Sequence, residues 1–194
     1  KTITVSNIPI SVTNESAITS RDMVYNVKSE QYLNITVSGK RSIVSNLSAE
    51  DFRATASLKE LSKVNSIPVD VTTKNASLGR KITIVKQSAQ TILVDVENVE
   101  EKDFTDLVVE YTGKVADGYV AGLSSMSTDE VTVKAPTSII DKIKKVAVRC
   151  SLDGTNTNIS KKCPVILYDK NDKEIKSDEI ELSDKKIRVN VNVL

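Results

Sequence analysis

Apolar and polar residues alternate with period two along most of this chain. In its first half the clear runs are Ile8–Val12, Leu33–Val37, Phe52–Leu58, Ile67–Val71, Ile82–Ile84 and Ile92–Val96. In its second half they are Leu107–Tyr111, Val131–Val133, Val146–Cys150, Val165–Leu167, Ile180–Leu182 and Ile187–Val191. Side chains two apart in a strand share a side, so each run predicts a short strand with one buried face. The alternation breaks at two places. Ile43, Val44 and Leu47 fall at helical spacing, as do Ile139, Ile140 and Ile143, which predicts a helix of one to two turns at each. Pro136 stands just ahead of the second, with Thr137 or Ser138 able to cap it. Pro9, Pro68 and Pro164 lie near the beginnings of expected strands, where a missing backbone donor costs least.

The two breaks belong to a longer echo. Ile35–Leu47 lies over Val131–Ile143 without a gap, and Ile67–Asn75 lies over Cys163–Asn171; the steps 35 to 131 and 67 to 163 are both 96 residues. The closing strands Ile92–Val96 and Ile187–Val191 align at 95. A spacing that recurs at separate places implies two copies of one folding unit. Residues 1–97 are then the first domain and 98–194 the second, each large enough to bury its own core. The copies open less alike, with Ile8 over Phe104 and Val12 over Val108 at the common step. Between Val96 and Phe104 stands an acidic stretch without Gly or Pro, which predicts a short joint and an elongated, fairly stiff rod.

Composition agrees with small β-rich units. Aromatic residues make up only 4% and Trp is absent, so Val, Ile and Leu must build the cores, and β-branched side chains suit pleated surfaces. The 27 basic and 26 acidic residues nearly cancel and form no block of one sign; a nucleic-acid footprint needs a clustered basic face. No apolar run is long enough to span a bilayer. The chain begins at Lys1 rather than Met and carries no signal peptide, so an excised fragment of a longer protein is expected.

Candidate chemistry is sparse. The chain has no His, the commonest general base and metal ligand. Gly39-Lys40-Arg41-Ser42 resembles the end of a phosphate-binding loop, but Asn34 stands where its first Gly is needed and Arg41 where Ser or Thr should follow the Lys. A strand leading into a short helix explains it better. The acidic pairs Glu50/Asp51 and Asp178/Glu179 read as solvated turn ends, and Lys170–Glu174 as a hairpin turn. Asn-x-Ser/Thr triplets at Asn14, Asn34, Asn46, Asn75 and Asn158 arise readily in so Asn- and Ser-rich a chain. No catalytic, cofactor-binding or metal site is expected. Cys150 and Cys163 both fall in the second copy; Cys163 matches Ile67, and Cys150 matches Ala54 or Ala56 depending on the alignment. Apolar counterparts favour buried, inert thiols over a disulfide, which would require their strands to be neighbours.

Each copy thus carries a strand ending in Val-x-Gly/Ala, a short Ser-Ile-Val/Ile helix, an alternating Ala/Val strand, x-Pro-Val and a closing Ile-x-Val-x-Val strand. That succession resembles the YbbR-like domain, a small β-rich module found in tandem arrays in bacterial proteins. Ile35–Leu58 with Ile67–Val71, and Gly118–Leu152 with Cys163–Asn171, carry most of the likeness. The second copy keeps a family-like Gly118-Tyr119-Val120, where the first has Asp22-Met23-Val24; the first also has Lys40 where the second has Pro136. The resemblance implies a non-enzymatic domain held outside the cytoplasmic membrane by an N-terminal helix that this fragment lacks. It also implies a partner, the membrane-bound diadenylate cyclase that makes cyclic di-AMP, reached by protein–protein contact. It assigns no interaction surface. The competing expectation is a structural stalk, or an adhesive array that binds the cell wall.

Overall fold

Strand β1 (Thr2–Thr13) does two jobs, and its sequence shows why. Its first part pairs antiparallel with β3 (Tyr32–Gly39), as far as Pro9 opposite Tyr32, and its second part pairs parallel with β4 (Phe52–Ser57), starting at Ile10 opposite Ala54. A bulge between Val5 and Ile8, with Asn7 at φ 60°, bends the strand ahead of the change of partner. Pro9 has no N–H to give to a ladder, so it sits at low cost where one ladder ends and the next begins.

The computed structural model describes residues 1–194, which divide into two compact units, Lys1–Glu97 and Asn98–Leu194. The first unit also holds β2 (Met23–Val27), β5 (Ser66–Pro68), β6 (Asp70–Thr73), β7 (Ile82–Gln87) and the start of β8 (Thr91–Phe104). One sheet has the order β6-β4-β1-β3-β7, and β8 lies beside β2 and β5. The core between them is apolar throughout, with Ile8, Leu33, Val37, Val44, Phe52, Ile67 and Ile92 almost completely buried. The run Ile67–Val71 is two strands rather than the one expected. Pro68 ends the pairing with β8, the Val69 N–H turns to the Gln90 carbonyl, and β6 pairs with β4 instead.

The second unit repeats the scheme. The end of β8 pairs with β11 (Val131–Pro136), from Val99 opposite Pro136 to Phe104 opposite Val131. Residues expected as a joint are therefore an outer strand of this unit. The second half of the β1 role passes to β9 (Leu107–Thr112), parallel to β12 (Lys145–Ser151). The remaining strands are β10 (Ala121–Met126), β13 (Ile159–Tyr168), β14 (Glu181–Leu182) and β15 (Lys186–Val193). Within β13, residues up to Pro164 pair with β15 and residues from Val165 pair with β12. Pro9, Pro68 and Pro164 thus mark exchanges of partner, not strand beginnings as expected.

Strand register reproduces the sequence echo. Ile67 faces Ile92 as Cys163 faces Ile187, steps of 96 and 95 residues. One alignment changes. Val71 faces Ala54, and its counterpart Leu167 faces Val146, so Ala54 corresponds to Val146 and Leu58, not Ala54 or Ala56, to Cys150. The step falls from 96 to 92, so four residues are lost, and the 3₁₀ turn Ala49–Asp51 that precedes β4 has no counterpart in the second unit. This turn carries the Glu50/Asp51 pair, and the Asp51 carboxylate accepts the Ser48 N–H at 2.9 Å in a capping box.

Both expected helices are single turns, α2 at Arg41–Val44 and α4 at Thr137–Ile140, each sinking one residue (Val44, Ile140) into its core. Neither Thr137 nor Ser138 is the cap. Pro136 occupies the N-cap position, and the Thr137 hydroxyl donates to the Asn98 carbonyl at 3.1 Å. The first unit has two further helical turns that the alternation does not announce, α1 (Ser16–Thr19) and α3 (Ala76–Gly79).

Candidate functional site

The densest polar grouping lies on the second unit, where β9, β12 and β13 run side by side. Their register places Glu110 beside Arg149 and Tyr168 opposite Lys145. The Tyr168 hydroxyl donates to the Glu110 carboxylate at 2.5 Å and accepts from the Arg149 guanidinium at 2.8 Å. Arg149 also lies 3.5 Å from Glu110 and 3.9 Å from Glu174. Lys145 stands over the Tyr168 ring, 4.5 Å from its centre, and pairs with Asp172 at 2.7 Å. The Glu110 hydrogen bond and burial hold the Tyr168 hydroxyl above its ordinary pKa, outweighing Arg149. Tyr168 in turn keeps Arg149 firmly charged. Each member is occupied by another, so the cluster ties three strands together and holds no unengaged nucleophile.

The turn that follows β13 is organised by Asp169, whose carboxylate accepts the Lys173 and Asn171 N–H groups at 3.0 and 2.8 Å. Those bonds hold its pKa below the usual carboxylate range. The segment Lys170–Glu174 is thus a turn, closed by a bridge between Tyr168 and Glu174. Gly39-Lys40-Arg41-Ser42 is also structural. A Cβ on Gly39 would come within 3.0 Å of Val44 and 3.2 Å of Ile82, so the glycine permits the close packing of α2 on the sheet. The five Asn side chains of the triplets are likewise engaged. Asn75 caps the turn at Ala76, Asn34 accepts from Asn7, Asn158 accepts from Val193, and Asn14 and Asn46 donate to Ser57 and Ser42.

Large apolar side chains gather on the surface at the start of β10. Val120 and Leu194 exchange backbone hydrogen bonds at 2.8 and 2.9 Å, and the Leu194 side chain lies against Gly122, where a Cβ would meet it at 3.2 Å. Leu123 is 85% exposed, Leu194 73% and Val120 65%, with Tyr119 beside them at 44%. The sequence signal for this group was the Gly118-Tyr119-Val120 segment; that it meets the end of β15 depends on the pairing. Cys150 and Cys163 are both buried and unbonded. No helix is long and apolar enough to cross a membrane, and no cluster of three or more His, Cys, Asp or Glu is placed to hold a metal ion.

The fold defines a class: small β-rich units, each built around its own apolar core. Residues 106–191 match the family model described as YbbR-like protein, and the second unit is a YbbR-like domain. The fold of the whole chain is similar to that of a YbbR-like protein from Streptococcus pneumoniae TIGR4, at 19% identity and TM-score 0.50, covering 100% of this chain and 95% of that one. Two further structures were also matched, each over about half of this chain. One is the YbbR-like domain of a Listeria monocytogenes protein, at 22% identity and TM-score 0.36, covering 50% of this chain and 92% of that one. The other is SuR18C from Streptococcus thermophilus, at 19% identity and TM-score 0.38, covering 49% of this chain and 84% of that one. No curated protein matches the chain.

Proposed function

We propose that this chain is the non-catalytic, extracytoplasmic part of a membrane-anchored regulator of a membrane-bound diadenylate cyclase, acting by protein–protein contact. The observation that carries this reading is the match of residues 106–191 to the YbbR-like family. The surface chemistry supports a contact role. The polar cluster around Tyr168 is internally satisfied, while Tyr119, Val120, Leu123 and Leu194 offer apolar area to a partner.

The test is co-expression of the protein, in its natural length, with the cyclase encoded in the same genome. Cyclic di-AMP should shift relative to cells expressing the cyclase alone, and the two proteins should co-purify. Unchanged cyclic di-AMP together with no co-purification would sink the reading. Retention of the protein on isolated cell wall in that case would favour the wall-binding array instead.

A further inference from the structure

Val148 on β12 faces Val165 on β13 in an antiparallel register. The same register carried two residues further sets Cys150 opposite Cys163. The ladder stops in between because Pro164 has no N–H to contribute, and from there β13 pairs with β15. The two side chains stay close. Both belong to one core cluster, at 0% and 2% exposure, and Cys150 lies near enough to help raise the pKa of the Cys163 thiol, which itself donates to the Lys161 carbonyl at 3.7 Å. In the first unit the corresponding places hold Leu58 and Ile67, both buried, so apolar side chains alone can fill this part of the core. Two cysteines on adjacent strands of one core cluster add a chemical possibility that a Leu–Ile pair lacks.

We propose that Cys150 and Cys163 close a disulfide between β12 and β13 that staples the second unit, formed by exchange with an external disulfide such as glutathione disulfide. One thiolate attacks the oxidant's S–S bond, giving a mixed disulfide and releasing one glutathione thiolate. The second cysteine then attacks the protein sulfur of that mixed disulfide, forming the Cys150–Cys163 bond and releasing the second glutathione. Two protein thiols are oxidised and one external disulfide is reduced to two thiols.

Timing follows from burial. Inside the core the Cys163 thiol is pushed up to about 12, by burial first and then by Cys150 beside it, and a protonated thiol does not attack. The link therefore closes while the chain is folding and both thiols still reach water. Once closed, it encloses the residues between 150 and 163, which include the turn at Asp153 and Gly154, both at positive φ.

The experiment is to unfold the protein in denaturant with dithiothreitol, refold it in a glutathione redox buffer, alkylate remaining thiols and measure the intact mass and peptide map. The expected product has no alkylated cysteine, a mass lower by two hydrogens, and a peptide linked through Cys150 and Cys163. Its Tm should exceed that of the protein refolded in dithiothreitol by roughly 5–15 °C. The single variants Cys150→Ser and Cys163→Ser should each carry one glutathione and no internal link. Folded protein with both thiols alkylated, or with glutathione on each and no link, overturns the proposal. So does a linked product that melts no higher than the reduced one, or a chain that regains its circular dichroism in dithiothreitol but not in the glutathione buffer.

Discussion

Asp22 and Gly118 stand 96 residues apart at equivalent places in the two units, and both hold left-handed backbone, at φ 52° and 87°. The position that separated the two copies in sequence is therefore one where their geometry agrees. Asp tolerates this region better than most non-glycine residues, and a β-branched side chain tolerates it worst. A Cβ at Gly118 meets nothing within 4 Å, so the cost of substitution there is backbone strain alone. Gly118→Asp should cost under about 1 kcal/mol and Gly118→Val about 2 kcal/mol. Urea denaturation of the variants checks the order; equal costs would show that φ does not decide the position.

The second sequence difference, Lys40 against Pro136, also disappears in the backbone. Lys40 has φ −59° and ψ 138°, and Pro136 has φ −54° and ψ 145°. Both stand at the N-cap of their helices, where a missing N–H costs little. Lys40 already has the φ that proline imposes, and Gly39 before it has no Cβ to clash with the ring. Lys40→Pro should therefore stabilise the first unit by about 0.4–1 kcal/mol through the unfolded state, read as a higher urea midpoint at unchanged slope.

Tyr25 gives the first unit an alkaline limit. Its hydroxyl donates to Glu15 at 2.5 Å, and its pKa is raised from 10.0 to about 12, by burial first and then by Glu15. A raised pKa means that the folded state favours the protonated phenol. The stability it contributes is whole below pH 10 and is lost as pH climbs from 10 towards 12. Titration of tyrosinate absorbance should show a late-ionising component that shrinks in Tyr25→Phe and leaves Tyr168 as the other tyrosine held above its ordinary value. The variant's stability should also fall less steeply over that pH window.

Phe52 is the largest fully buried side chain in a core otherwise made of Val, Ile, Leu and Ala, at 2% exposure. Phe52→Ala should cost about 3–5 kcal/mol, the combined loss of transfer energy and of packing around the cavity. Phe52→Leu should recover most of that. A loss below about 1 kcal/mol by urea denaturation would mean that the site collapses around the smaller residue.

The Tyr168 cluster shows where reading the sequence stops. Glu110, Arg149 and Tyr168 each look like ordinary surface residues, and nothing in their spacing joins them. They meet because β9 lies parallel to β12 while β13 lies antiparallel on its other side. The polar cluster was therefore illegible in the sequence, and of the apolar group only the Gly118-Tyr119-Val120 segment could be read there, not its meeting with Leu194. The expected strands and both helical turns were legible because alternation and helical spacing are local patterns.

By itself, the sequence determined a repeated β-rich unit, its helical turns and an apolar core built from alternating Val, Ile and Leu. These follow from side-chain periodicity and from a spacing that needs no knowledge of which strand neighbours which. Tertiary structure decided what depends on pairing. It set Pro9, Pro68 and Pro164 at exchanges of strand partner, aligned Cys150 with Leu58 rather than with an alanine, and placed Cys150 and Cys163 in one core. The physical reason is that a backbone donor missing at one residue is harmless or costly according to which strand lies alongside, and only long-range register fixes that.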